Sequence, residues 1–175
     1  MLLHEHLENK LDKQPDFLFS EFQGRQITYR EANTLCNKLA HSLISTGLKK
    51  GDRFAFLSKN SSEMAFMYYA ASKVGVVPVP LNYRLADKEW EYIVNDSQSK
   101  IMIIRGNEYC ERIKTSRDNY KHIQNFVYIE SSEFGSDWIE FYDWINNQPD
   151  EKPQIDVSAE DDVYQMYTSG TTGHP

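Results

Sequence analysis

Cysteine is scarce in this chain: only Cys36 and Cys110 occur in 175 residues. The first falls on an amphipathic helical pattern and the second in a polar segment far along the chain. Neither pairing nor metal-ligand spacing is suggested, and both read as reduced thiols of a cytoplasmic protein. Long apolar runs are also absent. The most hydrophobic stretch, Met64 to Leu81, is broken by Lys73, Gly75, Pro78 and Pro80, and so lacks the unbroken length that a bilayer-spanning helix needs. Positive charge is not in excess, since 19 Lys and Arg stand against 26 Asp and Glu for a formal net charge of -7. The basic residues are scattered, so no continuous surface could displace counterions from DNA or RNA. The opening Met-Leu-Leu-His-Glu-His-Leu-Glu carries acid where a secretory leader needs positive charge and then an apolar run. His4 and His6 flank Glu5 at a terminus expected to be solvated, and His41, His122 and His174 share no spacing with them. No tightly bound metal is expected.

What is present is a hydrophobic fraction of 40%, enough for one core at this length. Leu3, Leu7 and Leu11 predict a first helix ending before Pro15, and Phe17, Phe19 and Tyr29 around Gly24 predict a short hairpin. Thr28 and Glu31 form a capping box opening a helix that Gly47 closes. Strands are predicted over Arg53–Leu57, Val76–Pro80, Ile101–Ile104 and Phe126–Ile129. Helices separate them: one from Asn60 to Lys73 stopped by Gly75, one after Asp87 marked by Trp90, Ile93 and Val94, and one over Glu108–Asp118. Apolar strands alternating with helices imply an α/β fold, a parallel β-sheet with helices on both faces. Beyond residue 130 the regularity weakens. A short helix is expected over Trp138–Ile145, an exposed linker over Gln148–Pro153 and a last strand over Val163–Tyr167.

That strand runs into Thr168-Ser169-Gly170-Thr171-Thr172-Gly173. Glycines let the backbone turn its N–H groups inward, and hydroxyls add donors, so several dipoles can converge on one small anion such as a polyphosphate. The competing reading is a flexible Ser/Thr/Gly tail. In open parallel sheets ligands sit beyond the carboxyl ends of strands, which agrees with a phosphate turn placed just after Tyr167.

Tyr167-Thr-Ser-Gly-Thr-Thr-Gly-His-Pro175 resembles the phosphate-loop signature of the adenylate-forming enzymes: acyl-CoA and aryl-CoA synthetases, adenylation domains and luciferases. The signature would continue with a Lys-Gly pair that is not in this sequence. Ile27-Thr28-Tyr29-Arg30-Glu31 resembles the family's first short motif, and Ala71 to Leu85 its second, so the likeness runs from about residue 15 to the end. It implies that the chain is the N-terminal portion of an AMP-binding domain, about the first third of such an enzyme. The parts are a helix over 1–14, an α/β core over 15–130, an irregular connection over 131–162, and a strand with a truncated phosphate loop over 163–175. Pro80-Leu-Asn-Tyr-Arg-Leu85 looks more like the fatty-acid CoA ligase branch, because amino-acid-activating relatives usually carry Asp where Asn82 stands. Asn82 and Arg84 admit two readings, substrate contact or a loop fixed by hydrogen bonds to backbone, and the second is favoured.

By resemblance, the parent enzyme would use ATP, Mg2+ and coenzyme A to convert a carboxylic acid, of the fatty-acid class, to acyl-AMP and then acyl-CoA. Thr168, Ser169, Gly170, Thr171, Thr172 and Gly173 would hold the outer phosphates of ATP. No catalytic residue lies within this chain, and no cofactor is expected to bind tightly to it. As an isolated piece it is expected to be inactive, to have a mobile tail from Thr168, and to associate through the apolar surface left uncovered. The alternatives are a non-catalytic phosphate-binding or interaction module, and an amino- or aryl-acid adenylation domain.

Overall fold

The computed structural model describes residues 1–131, 135 and 137–168, which fall into two units. The first comprises Met1–Gly51, Asn60–Val77 and Trp144–Val163. Its helix α1, Leu3–Lys13, buries His4 and Leu7. A hairpin follows, β1 (Leu18–Phe22) with β2 (Arg25–Thr28), turned by Gln23 and Gly24 at φ 51° and 78°. Two successive positive φ values match the right-handed twist of a tight hairpin, and Gly24 adopts one without steric cost. Helix α2, Tyr29–Ser45, opens on the expected capping box, with Glu31 N–H donating to Thr28 Oγ1 at 3.3 Å and Thr28 N–H to Glu31 Oε2 at 2.8 Å. Helix α3, Ser62–Val74, is capped by Ser61 and ended by Gly75 in the left-handed region at φ 67°. A Cβ at Gly75 would stand 2.9 Å from Lys50 Cγ, a flexible side chain that can shift, so it is the left-handed conformation that calls for glycine there. Phe19 lies between Tyr29, Phe66 and Tyr69, ring centroids 5.5 to 6.1 Å away, and anchors the hairpin to α2 and α3.

A charge network joins the three helices. Lys73 has no exposed side-chain surface, and its ammonium donates to Glu8 Oε1 at 2.6 Å and Asn33 Oδ1 at 3.0 Å. Burial raises the Glu8 carboxyl, but hydrogen bonds from Lys152 and Lys73 outweigh it and hold the group below its usual range. His4 was expected in solvent. Instead it is buried on α1, its Nδ1 3.0 Å from Ser72 Oγ, because the apolar stripe of α1 turns that face inward. The segment expected as an exposed linker is exposed over residues 149–152 and also tied to α2, Asn37 Nδ2 donating to the Asp150 carbonyl at 2.7 Å and His41 Nε2 to that of Glu151 at 3.0 Å. Just before it, Ser42 Oγ donates to the Trp144 carbonyl at 3.1 Å and Lys38 Nζ to that of Asn146 at 3.3 Å.

The second unit comprises Asp52–Lys59, Pro78–Asp143 and the residues from Tyr164 on. Its sheet has five strands: β3 (Arg53–Leu57), β4 (Val77–Leu81), β5 (Ile101–Arg105), β6 (Asn125–Ile129) and β7 (Trp138–Glu140), in the order β4-β3-β5-β6-β7. The pairs β3–β5, β5–β6 and β6–β7 run parallel. On one face Leu57, Val79, Met102 and Ile104 pack with Trp90, Ile93 and Val94 of α4 (Asp87–Asp96) and with Cys110 and Ile113 of α5 (Asn107–Thr115). The opposite face, with Phe54, Phe56, Ile101, Ile103 and Val127, is buried as well. Sheet faces buried on both sides explain why these strands read as unbroken apolar runs rather than alternating ones.

Two boundaries differ from expectation. Helix α5 stops at Thr115 rather than Asp118, where the Thr115 and Ser116 hydroxyls donate back to the Arg112 carbonyl at 2.8 and 3.3 Å and a single 3-10 turn follows. Trp138–Glu140 forms a strand, with only Phe141–Asn146 helical as α6. Trp138 stacks on Phe126 at 5.1 Å, a sheet contact that outweighs the local helical pattern. Glu140 Oε2 then accepts from Asp143 N–H at 2.8 Å and starts the helix.

Three outcomes follow. Glu8→Ala leaves the Lys73 ammonium buried without its carboxylate and should lower stability by about 3 kcal/mol in urea titrations. Burial first, then the Lys152 and Lys73 ammoniums, push His4 below its usual 6.5, against the pull of Glu8 and the bond to Ser72. The unfolded chain then binds this proton more readily than the folded one. Stability should therefore fall as pH drops below about 6.5, and His4→Gln should flatten that part of a thermal-midpoint profile. Burial raises the Cys36 and Cys110 thiols to about 12 and about 11. A thiol reagent at neutral pH should read no fast-reacting cysteine in the native chain and two after denaturation.

Candidate functional site

The approach to the glycine-rich turn is set by β4, in which Pro78 and Pro80 alternate with Val77, Val79 and Leu81. A proline has a carbonyl to offer but no N–H. On the side of β4 that these prolines face, the strand can accept hydrogen bonds at residues 78 and 80 but cannot donate them. Gln165 N–H donates to the Pro78 carbonyl at 3.0 Å, and no strand forms over 163–167. The expected last strand is thus replaced by a segment held by individual bonds, because β4 lacks the donors for a regular ladder.

Tyr167 supplies the next anchor. Its phenol donates to Asp96 Oδ2 at 2.6 Å and accepts from Gln165 Nε2 at 2.8 Å, while its ring packs against the apolar cluster of the sheet unit. Burial first and Asp96 second push the phenol well above its usual range, so it stays a donor at neutral pH. Thr168, the first of the six proposed phosphate ligands, is exposed directly after this anchor. Ser169, Gly170, Thr171, Thr172 and Gly173 lie outside the described residues, as do His174 and Pro175.

The contact between the Tyr167 phenol and Asp96 can be placed on the sheet. Helix α4 leads from the carboxyl end of β4 back to the amino end of β5, so its last residue, Asp96, lies at the amino-terminal edge of the sheet. Arg53, the first residue of β3, confirms the edge by donating to the Ser97 carbonyl at 2.6 Å. The Tyr167 phenol therefore meets its acceptor at the amino-terminal edge of the sheet.

The carboxyl edge holds a different group. Lys59 donates to Glu108 Oε1 at 2.9 Å and sits 5.8 and 5.6 Å from the ring centroids of Tyr83 and Tyr109. Their hydrogen bond raises the lysine and lowers the carboxyl, and both groups are solvent-exposed. Asn82 fixes its own loop, accepting the Arg84 N–H at Oδ1 at 3.0 Å and the Trp90 indole N–H at its carbonyl at 2.9 Å. Arg84 lies over the Tyr83 ring at 5.4 Å. Among the described residues there is no group of three or more His, Cys, Asp or Glu that could hold a metal ion. Asp96 and Gln165 escaped sequence reasoning. The only sequence signal was an acidic residue in the last turn of a helix, where the macrodipole disfavours it.

Comparison with known proteins places this geometry in context. A family model described as AMP-binding enzyme matches residues 7–175. A long-chain-fatty-acid–CoA ligase, FadD13 of Mycobacterium tuberculosis, is 34% identical over 152 residues, covering 86% of this chain and 28% of its own length. The 3-oxocholest-4-en-26-oate–CoA ligase of Rhodococcus rhodochrous is 29% identical over 175 residues, covering 97% of this chain and 31% of its own. The crystal structure of the anthranilate CoA ligase AuaEII with anthranoyl-AMP superposes with a TM-score of 0.93 at 26% identity, over 100% of this chain and 33% of that one. The chain thus spans about a third of the proteins it resembles.

Proposed function

From a chain that belongs to the family of AMP-binding enzymes, we infer the opening part of an ATP-dependent acyl-CoA synthetase that activates a carboxylic acid of the fatty-acid class. In the whole enzyme the acid's carboxylate oxygen attacks the α-phosphorus of ATP. The bond from that phosphorus to the bridging oxygen breaks, and pyrophosphate leaves. The sulfur of coenzyme A then displaces AMP from the acyl carbon and gives the thioester. Charge grows on the departing pyrophosphate during the first step. Backbone N–H groups and hydroxyls aimed in advance at its oxygens lower that barrier, because they need no reorganisation as the charge develops.

Thr168 to Gly173 are the residues assigned to this task. The observation that carries the reading is a family match over residues 7–175, a range that includes them, together with an anchored Tyr167 and an exposed Thr168. Relatives named for a fatty acid and a steroid acid favour a bulky apolar acid. None of these residues is a nucleophile or a general base, so the chain supplies leaving-group binding rather than bond-making groups. Alone it should form no acyl-adenylate.

The test measures pyrophosphate release with ATP and a panel of fatty acids. The 175-residue chain should give none, and a polypeptide that continues it with the rest of a fatty-acid–CoA ligase should give release that depends on the acid. Turnover by the chain alone would overturn its assignment as a non-catalytic piece. Acid-independent release from the continued polypeptide would overturn carboxylate activation.

A further inference from the structure

Three separate contacts converge on Tyr167 just before the proposed phosphate turn. Asp96 accepts from its phenol at 2.6 Å, Gln165 donates to the same oxygen at 2.8 Å, and the ring is packed on the apolar cluster that includes Trp90, Ile93 and Val94. Gln165 is itself fixed, through its N–H, to the Pro78 carbonyl at 3.0 Å. Asp96 stands in an unfavourable place for a carboxylate. It ends α4, whose last turn has no basic residue, and it faces the negative pole of that helix. The phenolic hydrogen bond gives that carboxylate a donor and orients the ring. Tyr92, also on α4, bears on the same phenol electrostatically and is exposed.

We propose that Asp96 and Gln165 are positioning residues that hold Tyr167 and so fix where the backbone enters the phosphate-binding turn at Thr168. The proposal rests on the assignment of Thr168–Gly173 to the outer phosphates of ATP. Consecutive Cα atoms are about 3.8 Å apart across a trans peptide, so displacement of Tyr167 passes directly to Thr168. Donors that must meet phosphate oxygens at about 2.7–3.1 Å tolerate little of it. Held at its ring, its hydroxyl and the backbone two residues earlier, Tyr167 gives the turn a fixed starting point at the amino edge of the sheet.

The test uses the isotopically labelled chain with inorganic tripolyphosphate as probe, followed through the amide resonances of Gly170 and Gly173. Tyr167→Phe keeps the ring in its packing and removes only the hydroxyl. Asp96→Asn replaces the charged acceptor with a neutral one. Both should weaken tripolyphosphate binding about tenfold while the thermal midpoint moves little, and Asp96→Glu should recover part of the loss. Wild-type affinity in Tyr167→Phe would overturn the positioning role and leave the phosphate turn standing. Absence of glycine amide shifts in the wild-type chain would overturn the phosphate assignment itself, and the positioning role with it.

Discussion

Strand β5 sits between β3 and β6 with all five of its residues buried, so its backbone has no water to bond and must be paired on both sides. Parallel pairing satisfies that demand and imposes a polarity, because the carboxyl ends of the paired strands then lie along one edge and their amino ends along the other. Each edge collects its own side chains. Lys59, Tyr83, Glu108 and Tyr109 meet beyond the carboxyl ends. At the amino ends Asp52 pairs with Lys100 at 2.7 Å, Arg53 bonds the Ser97 carbonyl, and Asp96 holds Tyr167. The segment leading to the glycine-rich turn belongs to the second group.

That placement traces to the prolines of β4. A regular ladder would set residues 163–167 by repeated backbone bonds, with little part for any single side chain. With Pro78 and Pro80 offering carbonyls only, the backbone contributes the Gln165 bond, and side chains supply the remaining order. The same prolines protect the strand, since an edge without donors is a poor template for pairing with another chain. Stiffness of β4 and dependence of the approach on Tyr167 thus share one origin in the Val-Pro-Val-Pro sequence.

Much of the fold was legible because local signals and tertiary demands agreed. The capping box at Thr28, the glycine stop at Gly75 and the apolar runs of β3, β5 and β6 each specify a local structure that the packing then uses. Disagreement arose where contacts distant in sequence decide. Trp138 is drawn into the sheet by Phe126, His4 is taken inside by Ser72, and Trp144, Asn146 and Asp150 are bound by Ser42, Lys38 and Asn37. No periodicity encodes such pairings. At the site, Thr168 was legible as a motif member, whereas Asp96 was not, because its meaning depends on a tyrosine 71 positions later. The general rule for ligands in parallel sheets bears on Ser169 to Gly173, which lie outside the described residues.

Relatives named for a long-chain fatty acid, a steroid acid and anthranilate share the sequence pattern or the fold of this chain. What these enzymes would have in common is the leaving group. Pyrophosphate presents the same oxygens whatever acid is activated, and a turn that binds it can keep one geometry across the family. Conserving the position of that turn therefore asks for a rigid local anchor and places no constraint on an acyl pocket. Under the positioning role proposed above, the Asp96–Tyr167–Gln165 arrangement is such an anchor, since its hydrogen bonds end at the residue that precedes the turn.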